Sequence, residues 1–144
     1  MFTSVKSRAA AAYQRVGTET SVQGADPHQL VGLLFDALLK NIATARGSLA
    51  RQDVEAKGTA IGKAVRILEE GLKAGLNARD GGEVAANLRS LYDYSIVRLT
   101  HANLHNDEQA LAEVAQLMEP IADSWKQIKG RGPAYLQPVA GLGA

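Results

Sequence analysis

The sequence contains no cysteine. That excludes a disulfide framework, a thiol nucleophile and a cysteine-ligated zinc site, and it is compatible with a reducing cytosol. An excess of charge of either sign is missing too. Sixteen basic residues against fifteen acidic leave a net charge of +1. They are scattered along the chain, so no phosphate-tracking surface is expected and nucleic acid is not an expected partner. Long apolar runs are also absent. The most apolar stretch, LVGLLFDALL, is broken by Asp36 and is far shorter than a bilayer crossing requires. The opening MFTSVKSRAA has basic residues but no apolar segment behind them. The expectation is a soluble, unprocessed, cytoplasmic protein with no membrane insertion. Finally, no run of alternating β-branched residues argues for a strand.

What is there is helix. The 144 residues suffice for one domain with a sizeable apolar core. In ADPHQL, Asp26 is placed to cap, Pro27 fits the first helical position and Gln29 can reach back to the cap. Leu30, Leu34, Leu38, Ile42, Ala45 and Leu49 then recur at helical spacing, with Asp36 and Lys40 paired at i,i+4 on the far side. A second helix is expected to open at Asp53 and to present Val54, Ile61, Ala64, Leu68, Leu72 and Leu76 before NARDGG breaks it. The third runs from about Glu83 to Leu104 with Val84, Leu88, Leu91, Ser95, Leu99 and Ala102 on its seam. The fourth starts at NDEQ with Asn106 as N-cap and carries Leu111, Val114, Met118, Ile121, Trp125 and Ile128, a spacing that alternates three and four.

Four such segments joined by short connections predict an all-α fold, an antiparallel up-down-up-down four-helix bundle over residues 26–130. Residues 1–25 read as an N-terminal cap segment and leash. Their alanine-rich part predicts a short, weak helix ending near Gly17. Residues 131–144, rich in glycine and proline, read as a disordered tail.

Catalytic and metal signals are weak. A di-iron bundle needs glutamate three residues before histidine on two helices, and His28, His101 and His105 have no acid at that position. His101 and His105 stand at i,i+4 and could clasp a metal, but no third ligand accompanies them; they read as solvated helix-end histidines. No G-x-S-x-G elbow presents a serine, and GGE before the third helix reads as a loop and helix start rather than a phosphate cradle. No cofactor, metal or enzymatic activity is expected.

Aromatic residues make up only 5% of the chain, so the two tyrosines around one aspartate in NLRSLYDYSIVRLTHANL stand out. On a wheel of about 100° per residue, Tyr92 falls with the core seam, while Tyr94, Val97 and Leu104 fall outside it. In the first helix Leu33 and Leu39 lie off the arc centred on Leu34 and Leu38. Singly these are ordinary surface hydrophobes. Together they describe an apolar groove open either to self-association or to an amphipathic helix of a partner. Tyr13 and Val16, at i,i+3 in the weak N-terminal helix, form a small apolar face that could lie on such a groove and come off again. The candidate contact residues are therefore Tyr13, Val16, Leu33, Leu39, Tyr94, Val97 and Leu104.

The blocks AYQRV, DPHQLVGLLFDALL, VEAKGTAIGKAVRILEEGLKAGLN, GGEVAANLRSLYDYSIVRLTHANLHND and WKQI, in this order and spacing, resemble the flagellar export chaperone family FliS over roughly Ala12 to Ile128. The resemblance implies a cytosolic, non-enzymatic bacterial chaperone. It would bind the C-terminal segment of flagellin, prevent early polymerisation and assist delivery to the flagellar type III export gate, with the N-terminal segment shielding the groove between clients. Ser95 stands where the family more usually has methionine, Asp26 where serine is frequent, and Ala37 where glycine is common. The competing expectation is a structural or regulatory bundle that self-associates through the same apolar surface.

Overall fold

The computed structural model describes residues 26–76 and 78–128, and all of its regular structure is helical. The N-terminal helix and the tail expected outside the bundle fall beyond the described residues, as do Tyr13 and Val16.

Helix α1, Pro27–Ala50, begins as its sequence dictates. The Asp26 carboxylate accepts from the Gln29 amide at 2.7 Å, the Gln29 side chain accepts from the Asp26 amide at 3.1 Å, and Pro27 occupies the first turn. Helix α2 comprises an α-helical part, Val54–Arg66, capped by Asp53 through the Ala56 amide, and a π-helical continuation, Ile67–Lys73. Within this continuation Ile67, Leu68, Gly71 and Leu72 are all buried. Helix α3, Ala78–His105, is kinked at Gly82, whose φ of 56° and ψ of −131° belong to a region open to glycine and little else. Its regular part starts at Glu83, where the sequence predicts the helix. Helix α4, Glu108–Ile128, completes the set.

The four helices form a ring. α1 packs on α2 and α4, and α3 packs on the same two, so α1 and α3 occupy diagonal corners. Side-chain pairs run in opposite directions along neighbouring helices, His28 with Trp125 and Arg46 with Glu108 between α1 and α4, Lys73 with Asp93 and Lys57 with Asn103 between α2 and α3. This is the expected antiparallel up-down-up-down bundle. Its core holds Leu30, Leu34, Phe35, Leu38 and Ile42 from α1, Ile61, Ile67 and Leu68 from α2, Tyr92 and Leu99 from α3, and Leu111, Val114, Met118 and Trp125 from α4.

Several expectations are corrected in detail. Val54 and Val84 are exposed rather than inward, Val54 as the first residue of α2 and Val84 two residues after the kink at Gly82. The α3 seam instead begins at Ala85 and runs through Tyr92, Ser95, Leu99 and Ala102, all buried. Leu49, Leu76, Leu88, Leu91 and Ile121 are half-buried at the margins of the core. Asp36 pairs across the helix boundary with Lys126 at 2.7 Å, not with Lys40. The cap of α4 is Asp107, which accepts from the amides of Gln109 and Ala110, not Asn106.

Candidate functional site

Among the described residues, two surface features stand out beside the core. The first is the outer face of α3. Tyr94, Val97 and Leu104 are 45%, 64% and 75% exposed. Spaced three and seven residues apart, they share one side of the helix, opposite the buried seam. His101, half-buried, lies between Val97 and Leu104 on that side. Tyr94 is tethered at its polar end: its hydroxyl donates to Glu113 Oε2 on α4 at 2.5 Å, and Arg98 Nε donates to the other oxygen at 2.8 Å, while the residue stays 45% exposed. The hydrogen bond to Glu113 raises the tyrosine's pKa above the usual range. Tyr94 first and Arg98 second lower that of Glu113. Tyr92, two residues away, is fully buried, and burial alone pushes its phenol far above the usual tyrosine range.

The second surface is an open cleft of about 400 Å³ between the first turns of α1 and the last turn of α4. His28 and Trp125 form one end of it. Their rings stack with centroids 4.5 Å apart, His28 Nε2 donates to the Trp125 carbonyl and Trp125 Nε1 donates to the His28 carbonyl, each at 2.9 Å. Gly32 and Leu33 line the middle and the Asp36–Lys126 pair the rim. A Cβ at Gly32 would lie 3.7 Å from Trp125 Cδ1, so glycine leaves free a volume that a side chain would occupy.

The candidate contact residues are therefore distributed, not gathered. Tyr94, Val97 and Leu104 come together on α3. Leu33 lines the cleft, and Leu39 packs half-buried against the core on another flank of α1. The two groups stand on helices that are not neighbours, and α4 lies against both: Trp125 and Lys126 line the cleft with Leu33, and Glu113 accepts from Tyr94. Sequence reasoning overlooked the cleft, although Trp125 as the sole tryptophan and the unpaired glycine at 32 both pointed to it.

Other polar features are structural in character. Lys57, only 2% exposed, extends its ammonium to the Asn103 carbonyl at 2.8 Å and to Asn106 Oδ1 at 2.6 Å. It thereby satisfies the C-terminal end of α3, whose last carbonyls have no helical partners. His101 pairs with Asp107 at 3.2 Å and its ring meets that of His105, centroids 4.6 Å apart. No group of three or more side chains suited to a metal occurs among the described residues, and no described helix is long and apolar enough to cross a membrane.

Fold and surface thus define a four-helix bundle with large apolar side chains left over on its outside. Comparison with known proteins makes the assignment specific: the family model for flagellar protein FliS matches residues 9–132, and the chain belongs to the FliS family. It is 51% identical over 117 residues to the flagellar secretion chaperone FliS of Salmonella typhimurium, covering 81% of this chain and 87% of that protein. It is 42% identical to the flagellar secretion chaperone FliSB of Pseudomonas aeruginosa, over 81% of this chain and 91% of the relative. To FliS of Escherichia coli the identity is 43%, over 81% and 85% respectively.

Proposed function

We propose that this chain is a cytoplasmic, non-enzymatic flagellar secretion chaperone that binds the C-terminal segment of flagellin, prevents its premature polymerisation and assists its delivery to the flagellar type III export apparatus. The observation that carries this reading is the exposed apolar stripe of Tyr94, Val97 and Leu104 on a bundle of the FliS family. A client segment that is helical in the filament and unfolded outside it must be ordered on binding, at a cost of roughly 2–5 kcal/mol or more. A contact drawn out over separate apolar surfaces offsets that cost better than one small pocket. Leu33 and Leu39 on α1, both half-buried, extend the same path. Between clients, the segment bearing Tyr13 and Val16 would shield part of it.

Titration calorimetry with a flagellin C-terminal peptide tests the reading. Full burial of Val97 or Leu104 is worth about 1.5–3 kcal/mol each, so Val97→Asp or Leu104→Asp should weaken binding by roughly tenfold to a hundredfold and leave the melting temperature unchanged. Unaltered affinity in both variants would place the client elsewhere. The 75% exposure of Leu104 also suits a self-associating structural or regulatory bundle. Light scattering over a concentration series decides that alternative, since growth in mass that both variants abolish, without peptide binding, would replace the chaperone reading.

A further inference from the structure

Tyr94 is the aromatic member of the exposed α3 stripe, and its hydroxyl is tied to a different helix. Tyr94 and Arg98, four residues apart and so on one side of α3, converge on a single carboxylate of α4, that of Glu113, which lies 19 and 15 residues further along the chain. The tyrosine hydroxyl donates to one oxygen at 2.5 Å and Arg98 Nε to the other at 2.8 Å, so both oxygens of Glu113 are engaged. On the reading that this stripe receives the flagellin segment, on which the inference rests, we propose that Glu113 is a positioning residue for client recognition. It acts through Tyr94, holding the exposed ring from the neighbouring helix in the orientation that the client meets.

Stability does not account for this arrangement. The core of α3 and α4 is made by Tyr92, Leu99, Leu111, Val114 and Met118. Tyr94 is exposed, and Arg98 and Glu113 keep part of their side chains in solvent, where ion pairs contribute little to folding. What the tether changes is conformational freedom. A long side chain on a helix has two accessible χ1 rotamers, at about 180° and about −60°, and an untethered exposed tyrosine exchanges between them. Here the helix fixes the Cα and a charged acceptor fixes the hydroxyl, through a hydrogen bond of the kind that is about twice as strong as a neutral one. One rotamer is thereby selected before any client arrives. A client that covers a ring already in place does not have to order it, and ordering one such side chain at an interface weakens binding by roughly twofold to tenfold. Arg98 supports the same geometry from the other oxygen, turning the carboxylate so that its free edge faces the tyrosine, and it offsets the negative charge that a client's apolar face would otherwise have to strip of water.

Calorimetric titration of the full-length chain with the flagellin C-terminal peptide tests this in Glu113→Ala, Tyr94→Phe, the two combined, and Glu113→Gln. All the substituted side chains lie outside the core, and melting curves establish that each variant keeps the bundle. Tyr94→Phe removes the hydroxyl and keeps the ring. It and Glu113→Ala are each expected to weaken binding by roughly twofold to tenfold. The combined variant should be no weaker than Glu113→Ala alone, since both substitutions break the same tether. Glu113→Gln still offers the hydroxyl an acceptor and should bind more tightly than Glu113→Ala. Unchanged affinity in Tyr94→Phe, with Val97→Asp still weakening binding, overturns the role of Glu113 and leaves the client reading standing. Losses that add in the combined variant overturn it as well, because Glu113 then acts on the peptide independently of Tyr94. Equal affinity in Glu113→Gln and Glu113→Ala overturns it by showing that an acceptor for the hydroxyl makes no difference. If Val97→Asp and Leu104→Asp also bind as the unaltered chain does, the client reading itself fails and the positioning role falls with it.

Discussion

Ser95 sits in the middle of the α3 seam with its hydroxyl enclosed and without a hydrogen-bond partner. An unmet buried polar group carries a desolvation penalty of about 1–3 kcal/mol. Ser95→Ala removes that penalty for the loss of one small atom and should raise the thermal midpoint by a few degrees, about 2–4 °C for each kcal/mol in a chain of this size. A lowered midpoint would mean that the hydroxyl has a partner. At the surface, Glu113 shows the opposite case of a polar group doubly satisfied. Its pKa is lowered by Tyr94 and Arg98. It therefore favours the folded state above the usual carboxylate range, and this contribution is lost as pH falls through the lowered folded value. Tyr94, raised by the same hydrogen bond, contributes below the usual tyrosine range, and its share is lost as pH rises through the raised value. Thermal melts between about pH 7 and about pH 3 should accordingly show a shallower acid decline in Glu113→Gln than in the unaltered chain. Both groups are well exposed, so the difference is small. Equal slopes would remove Glu113 from the acid limb.

At the scale of the element, the helices whose ends are set by local chemistry were legible. Asp26, Pro27 and Gln29 determine the start of α1 among themselves, and Gly82 breaks α3 by its own backbone conformation. Where a distant group decides, the sequence was silent. Asn106 and Asp107 are both good caps. Lys57, 49 residues away, takes the Asn106 side chain, which leaves the cap of α4 to Asp107. Lys57 thus links the start of α2 to the α3–α4 turn. Replacing its ammonium with the apolar stem of Lys57→Met should cost about 1.5–3 kcal/mol, the worth of hydrogen bonds to a charged group. Denaturant unfolding measures the loss, and hydrogen exchange at Asn103 to Asp107 should accelerate more than elsewhere. The π-helical continuation of α2 was likewise invisible, because a periodicity argument assumes one pitch throughout. Val54 and Val84 misled for a related reason: a wheel places a residue on a face but does not tell whether anything covers that face at a helix start.

For the whole molecule, four amphipathic periods and short connections were enough to give the bundle. The candidate surface was only partly legible. The α3 stripe follows from one helix and was found. The relation of Leu33 and Leu39 to that stripe depends on which helices are neighbours, and α1 and α3 are not. An occupant that touches both groups makes contacts more than one helix apart, and well-separated contacts add. Leu33→Asp and Val97→Asp should each weaken flagellin-peptide binding, and the double variant should lose the sum of the two free energies within about 0.5 kcal/mol. A double variant no weaker than Val97→Asp alone would confine the client to α3.

The clasp of His28 with Trp125 sets the beginning of α1 beside the end of α4. Each helix meets its two neighbours through side chains, whichever of them comes next along the polypeptide. The order in which the four are strung is therefore a property of the chain and not of the packing, and a circular permutation that bridges these adjacent ends and opens the exposed turn at Gln52 would keep every interhelical contact described.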